Sequence, residues 1–534
     1  MEVFKGLPIS PGLAVGEVVF LGAQAQSAHA AGTAEEERAR FEAAQRAAVD
    51  ALGALYEKAR RELGEKEAEV FSVHQLMAED EDFTDLVYEA IDGGAEASEA
   101  VRQAGETCAQ MFASMDDDYM RERANDVRDV AGRIARILCG DKDAALTKPC
   151  IVAAQELTPS QTVQFERRYV LGFLTERGAA NSHTGILART LGVPAVSQLH
   201  DLAALAGQTV IVDGTDGTLT ACPDAQTLAR ANEAVQAQNE EKARRRALIG
   251  QPSVTQDGRK VDLYANIGGP DDLPLLQEND AEGVGLLRSE FLYLGRETYP
   301  SEDELFESYR KIVQAMDGRE LIIRTLDIGA DKKVDYFGLP PEENPALGLR
   351  AIRLCLTRPE LFRTQLRAIL RAAEGANVGV MFPMVTGPDE LHRLKAALQE
   401  AEESLRRDGA PYGACRVGVM IETPAAVFLS RELAKECDFF SIGTNDLTQY
   451  LLAMDRQNPD LAPFCDTHHP AVLRAIETVV RSAHQENCRV DICGELAADE
   501  TLTEFFLRAG VDELSVAPGR ILPLRAHIRA LTLA

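Results

Sequence analysis

Eight short apolar segments, each followed by a helical pattern, fill the C-terminal half of the chain. They read "VDLYANIG", "GVGLLRSEF", "LIIRTLDIG", "NVGVMFPMV", "RVGVMIETP", "FFSIGTNDL", "RVDICGEL" and "DELSVAP". Short continuous apolar runs bounded by turn signals suit strands buried on both faces, as parallel sheets require. Strand and helix in alternation make βαβ units, and eight of them in this length fit a closed (β/α)8 barrel. An open doubly wound sheet is the competing arrangement.

The 534 residues exceed what one hydrophobic core serves, so further domains are expected. Residues up to about 22 carry strand-like alternation ("GEVVFLG") with Gly and Pro turn signals. Phe41, Ala44, Ala48, Leu52, Leu55, Ala59 and Leu63 then recur at spacings of three and four, the stripe of a long amphipathic helix. Charge-rich helical sequence runs on to Gly140, and strands return at "PCIVAAQ", "GFLTE" and "TVIVDG". The economical division is an α/β domain of residues 1–24 and 144–222 interrupted by a helical insert, 25–143, with two unrelated neighbouring domains as the alternative on pattern alone. A solvated linker helix, 223–250, and the barrel, 251–534, follow. Segments near "LTKPC" and around Cys222 to Ala225 are candidate hinges.

A formal net charge of -29 argues against general nucleic-acid binding, which needs a positive footprint. It serves solubility, or complements a basic protein partner. The ten cysteines form no Cys-x-x-Cys pair, which speaks against a zinc or redox motif. Neither a basic, apolar leader nor a bilayer-length apolar run is visible, so a cytoplasmic chain with reduced thiols is expected.

Barrel enzymes place their chemistry at the C-terminal ends of the strands. Those ends supply Arg288, Arg324, Glu422, Asn445, Asp446 and Cys493. Two arginines grip a phosphate through paired hydrogen bonds, and two carboxylates are hard oxygen ligands suited to Mg2+. Arg456, on the loop after the sixth strand, adds a third cation, whereas Arg350 reads by default as a helical arginine on a solvated face. The implied ligand is a small phosphorylated carboxylic acid. Cys493 is either a buried small hydrophobe or a proton carrier, and position alone leaves both open.

His183 sits between the small residues Gly178 to Ser182 and the apolar positions Ile186, Leu187 and Leu191. Alone it reads as a capping histidine. Beside a phosphate-gripping barrel it reads as a nucleophile whose phosphoryl adduct is supported by a helix N-terminus.

"GAANSHTGILAR" resembles the phosphohistidine motif of the phosphoenolpyruvate-utilising enzymes, and "DFFSIGTNDLTQY" resembles their second signature. The order of parts is similar to that of the Enzyme I family of the bacterial sugar phosphotransferase system. The resemblance implies a swivelling phosphohistidine domain with a helical insert, followed by the barrel. It implies transfer from phosphoenolpyruvate to His183 and then to the phosphocarrier HPr, with pyruvate released. Arg288, Arg324, Asn445, Asp446 and Arg456 would bind substrate, and Glu422 and Asp446 would hold Mg2+. Cys493 would protonate the enolate. The insert would dock HPr through Leu76, Met77 and Phe83, with Glu81 and Asp82 supplying charge. A homodimer through the barrel is also implied.

Two departures from the family pattern stand out. Gly185 replaces a residue with a small side chain, and the sequence ends at "RAHIRALTLA", short of a longer helical tail. No glycine-rich loop or spare length is left for the ATP-binding domain of the dikinase relatives.

Overall fold

The computed structural model describes residues 2–21, 32–62, 65–114, 118–140, 146–157, 161, 165–178, 183–329, 334–456 and 458–533. The chain divides into two compact units, residues 1–241 and 242–534.

The first unit carries strands β1 (Glu2–Lys5), β2 (Leu7–Ser10), β3 (Leu13–Leu21), β4 (Cys150–Ala154), β5 (Val170–Thr175), β6 (Ala195–Ser197), β7 (Thr209–Asp213) and β8 (Thr218–Ala221). They form one sheet in the order β1-β8-β7-β3-β4-β5-β6-β2. β3 and β4 lie side by side and parallel, Val18 opposite Ile151, although the whole helical insert separates them in sequence. An insert that leaves and returns at neighbouring strands does not disturb the sheet.

The insert contains α1 (Ala34–Glu62), α2 (Glu65–Ala78), α3 (Glu81–Asp92), α4 (Ala97–Ala113) and α5 (Asp118–Leu138). Phe41, Ala44, Ala48, Leu52, Leu55 and Ala59 are buried as their spacing anticipates, against Phe71, Val87, Val101 and Ile134. Leu63 lies outside the described residues. One expected surface residue does not face solvent. Phe83 is 4% exposed and shares a buried stripe with Val87 and Ile91. Asp80 caps α3 by accepting the Phe83 N–H (3.0 Å), and the four-residue spacing that follows turns all three side chains inward.

α6 (His183–Leu191) begins at the candidate nucleophile. The approach is tied to the sheet, because the Ser197 hydroxyl donates to the Gly178 carbonyl (2.9 Å) and Gly178 adopts a φ of +120°. Residues 179–182 and the His183 side chain lie outside what is described. α7 (Ala225–Arg246) buries only Ala231, as a solvated linker should, and Cys222 before it holds a left-handed φ of +46°.

The second unit is the closed parallel barrel, not the open sheet. Its strands are β9 (Asp262–Ile267), β10 (Gly283–Arg288), β11 (Leu321–Arg324), β12 (Val378–Phe382), β13 (Arg416–Ile421), β14 (Phe439–Gly443), β15 (Arg489–Cys493) and β16 (Glu513–Val516). β16 returns to pair with β9, Leu514 opposite Leu263. Each of the eight apolar segments supplies one strand. Leu286, Ile322, Met381, Met420, Phe439 and Cys493 form a core cluster of their own, and a much larger apolar core packs the rest of the unit.

Candidate active site at the barrel mouth

Each strand-end residue owes its position to an abrupt switch from strand to helix. β13 ends at Ile421, and Thr423 immediately caps the next helix, with Pro424 in its first turn, so Glu422 is held at the rim. β14 ends at Gly443, and the helix Thr444–Leu452 starts at once, which puts Asn445 and Asp446 in its first turn. Arg288 and Arg324 stand opposite each other as the last residues of β10 and β11, and Gly443 faces Cys493 across β14 and β15. The Asn445 side-chain oxygen accepts the Glu495 N–H (3.1 Å), which joins two of the rim loops.

The charges interlock. Arg324 donates to Glu290 (2.5 Å) and lies 3.3 Å from Asp327. Asp327 also accepts from Arg350 (2.9 Å). Asp446 Oδ1 lies 3.8 Å from both Arg350 and Arg456. Arg456 is anchored through its backbone N–H to Gln449 Oε1 (3.0 Å), and its side chain is 40% exposed. Arg288 is half-buried and has no ion-pair partner among the described residues.

Glu422 is 1% exposed, and its Oε1 accepts the N–H of Met384 (2.6 Å). Met384 holds a φ of +59°, rare for a side-chain-bearing residue, and this turn aims its N–H at the carboxylate. Glu422 Oε2 and Asp446 Oδ1 are buried and accept no hydrogen bond. A Cβ on Gly443 would sit 2.8 Å from Glu422 Oε2, so that oxygen needs the glycine. Burial, then the Asp446 and Asp327 charges, push the Glu422 carboxyl up to about 8. A divalent cation relieves that arrangement, because it satisfies bare oxygens and cancels like charge. Among the described residues no three His, Cys, Asp or Glu groups enclose an ion by themselves. Two carboxylates suffice for Mg2+ when water and substrate oxygens complete its shell.

Cys493 is 2% exposed and receives a hydrogen bond from the Ser441 hydroxyl (2.9 Å). Burial, helped by the Asp491 charge, pushes its thiol up to about 12, so it carries its proton at neutral pH. A protonated thiol is an acid and a poor nucleophile.

The strand-end positions read from sequence therefore converge at one end of the barrel, and Arg456 joins them from its loop. Arg350 corrects the default assigned to it. It is 5% exposed and clamped to Asp327. Asp327, three residues after Arg324, and Glu290, two after Arg288, were not singled out, though carboxylates so close to rim arginines are a usable signal. The partner-docking residues belong to the other unit. There Leu76 is 71% exposed, Met77 is partly buried, and Glu81 and Asp82 are exposed.

Comparison with known proteins bears on all three regions. The PEP-binding domain model of PEP-utilising enzymes matches residues 242–533, their mobile-domain model matches 146–217, and their N-terminal model matches 5–123. The phosphoenolpyruvate-protein phosphotransferase of Bacillus sp. (strain S) is 42% identical over 99% of this chain and 93% of its own length. That of Bacillus subtilis (strain 168) is 40% identical over 100% and 95%, and that of Geobacillus stearothermophilus 41% over 99% and 93%. With relatives matched end to end and a barrel mouth fit for a phosphorylated acid, the chain belongs to the phosphoenolpyruvate-protein phosphotransferase family of PEP-utilising enzymes.

Proposed function

We propose that His183 takes the phosphoryl group from phosphoenolpyruvate at the barrel mouth and passes it to HPr docked on the helical insert. The observation that carries this reading is the meeting, at one end of one barrel, of locked guanidiniums, two buried carboxylate oxygens that accept no hydrogen bond, and a protonated thiol.

Arg288 and Arg456 engage the substrate, since both are less buried than Arg324 and Arg350 and the Arg456 guanidinium is held only by a 3.8 Å approach to Asp446. Arg324 and Arg350, fixed by Glu290 and Asp327, present preorganised positive charge where the phosphoryl oxygens and the enolate develop theirs. Asn445 adds an amide beside them. Glu422 and Asp446 hold Mg2+, which when bound neutralises phosphoryl oxygens during transfer. The bond from phosphorus to the enol oxygen breaks as a bond to a ring nitrogen of His183 forms. The N-terminus of α6 then supports the phosphorylated imidazole. Cys493 gives its S–H proton to the enolate carbon, and pyruvate leaves.

One imidazole serving two sites requires movement of the part that carries it, about the segments near "LTKPC" and around Cys222 to Ala225. On the insert, Leu76, Met77, Glu81 and Asp82 contact HPr, while Phe83 stays in the core. Exposed Phe428 (84%) and Phe464 (69%) on the barrel unit favour a homodimer through that domain. No described helix is long and apolar enough to cross a membrane.

The test is incubation with phosphorus-labelled phosphoenolpyruvate and magnesium, beside His183→Ala. Acid-labile, base-stable label appears on the native chain and none on the variant. Label on His183→Ala, or label taken from ATP, rejects the reading.

A further inference from the structure

The interior of the barrel is lined unequally. On one side Leu286, Ile322, Met381, Met420 and Phe439 pack as apolar side chains, the usual filling of such a lumen. On the other side, β14, β15, β16 and β9 contribute Ser441, Asp491, Glu513, Ser515 and Tyr264, all buried. Along β15 the alternating residues Arg489, Asp491 and Cys493 share the inward face, so Asp491 lies one layer below the thiol. Ser441 stands opposite Asp491 in register and donates to Cys493 Sγ (2.9 Å). Facing Asp491 on the same inward side, Ser441 works against the burial that raises the Asp491 carboxyl. The hydroxyl thus stands beside both carboxyl and sulfur.

Asp491 and Glu513 are each 1% exposed and stand opposite each other across β15 and β16. Two neighbouring buried carboxyls do not both ionise readily, so the pair retains a proton. Burial holds the Asp491 carboxyl above the usual carboxylate range, and burial with the Asp491 charge does the same for Glu513. Arg489 donates to Glu513 (3.0 Å) and to Asp262 (2.8 Å), and its side chain is 29% exposed. The polar column therefore runs from the solvent-accessible lower end of the barrel to the thiol. An apolar filling would be at least as stable. A buried acid with a hydroxyl beside it calls for another explanation.

After Cys493 gives up its proton, a thiolate remains that is buried and roofed by ligand. We propose that Asp491 is a positioning residue that, through the Ser441 hydroxyl, returns to Cys493 the proton the thiol gives to the enolate. The Ser441 O–H proton moves to sulfur while the Asp491 carboxyl proton moves to Ser441 Oγ. Asp491 is left as a carboxylate and is reprotonated from Glu513, which regains its proton from water at the Arg489 end. The proposal rests on the reading of Cys493 as proton donor.

The test uses the full chain with magnesium, excess HPr and phosphoenolpyruvate labelled stereospecifically with tritium at C3, in deuterated water. Rapid quench counts pyruvate, and the chirality of its methyl group reports enzyme-bound protonation. Asp491→Asn is expected to release the first equivalent at the native rate with chirality kept. Ser441→Ala, which also loses the bond to Cys493 Sγ, keeps chirality and releases its first equivalent faster than any later one. Later turnovers in both fall at least about ten-fold below the first, with KM nearly unchanged, and Asp491→Glu restores them. A general packing defect would slow first and later equivalents alike, and that result rejects the relay. Steady turnover within about two-fold of native in both variants also rejects it. Should Asp491→Asn fail to fold, the Ser441→Ala burst decides alone. Cys493→Ala separates the two ideas. Chirality lost there with native-like Asp491→Asn removes only the relay, whereas chirality kept there removes Cys493 as the acid.

Discussion

The barrel mouth and the face of the helical insert both carry carboxylates, yet burial separates what they do. At the mouth, Arg324, Arg350, Glu422 and Asp446 are all less than 9% exposed, and each is held by at least one other charged or polar group. On the insert, Glu81 and Asp82 lie in water. Charge taken out of water interacts strongly and is fixed in place, whereas charge left in water steers encounters and is screened. The first region suits bond breaking, and the second suits a partner that must arrive and leave.

The largest effect follows from removing a buried partner at the mouth. Arg350→Ala is expected to lower kcat/KM by about 10²–10³-fold, because it deletes preorganised positive charge. It also takes about 3–5 kcal/mol from stability by leaving Asp327 with less compensation. Arg456→Ala, at an exposed position, should raise KM for phosphoenolpyruvate by about ten-fold and leave the melting temperature alone. Equal behaviour of the two variants in steady-state kinetics and thermal melting would break the comparison.

The same contrast holds inside the insert for apolar groups. Phe83→Ala should cost about 3–5 kcal/mol in chemical denaturation, since it opens a cavity beside Val87 and Ile91. Leu76→Ala, at a side chain already in water, should stay within about 0.5 kcal/mol of native. On the proposed docking role its effect is expected in the transfer rate to HPr. If Leu76→Ala destabilises and leaves transfer unchanged, Leu76 is a packing residue.

What could be read from the sequence divides along similar lines. The eight strands were legible because a strand buried on both faces must be apolar throughout. Arg288, Arg324, Glu422, Asp446 and Cys493 then followed, because a barrel fixes where strand ends go. Arg350 was not legible as a site residue, since what buries it is Asp327, 23 positions earlier, and Tyr450, 100 positions later. Phe83, a docking residue by the family resemblance, is core instead, and its four-residue spacing with Val87 and Ile91 is the signal for that. Met384 carries no sequence mark of its left-handed φ. Asp491 sits two residues before the thiol, but only the register with Ser441 gives that spacing a meaning.

Thiols sharpen the comparison chemically. Cys222 is exposed, while Cys355, Cys415, Cys437 and Cys493 are pushed up to about 12, by burial above all. Iodoacetamide at pH 8 should label Cys222 at least about ten times faster than Cys493, as peptide mass spectrometry will read. These raised thiols also set a direction for stability. Above about pH 8.5 the unfolded chain releases thiol protons that the folded chain keeps, so the melting temperature should fall as pH rises further. Flat stability from pH 8 to 10 would contradict the burial of these thiols.

The smallest expected effect concerns the acidic face itself. Glu81 and Asp82 occupy the first turn of α3, where negative charge meets the positive end of the helix dipole. Neutralising both to Gln and Asn should therefore cost no more than about 1 kcal/mol each in stability, and reversal to lysine would confuse that loss with repulsion. If the two carboxylates also attract a basic carrier, the neutral pair should raise the KM for HPr by about three-fold at low salt. Because exposed charges are screened within about 8 Å at physiological ionic strength, the difference should shrink in high salt. His183 labelling by phosphoenolpyruvate, which does not involve the carrier, should stay native. A KM for HPr unchanged at low salt would leave these residues with the helix cap alone, and the docking face would have to be sought elsewhere on the insert.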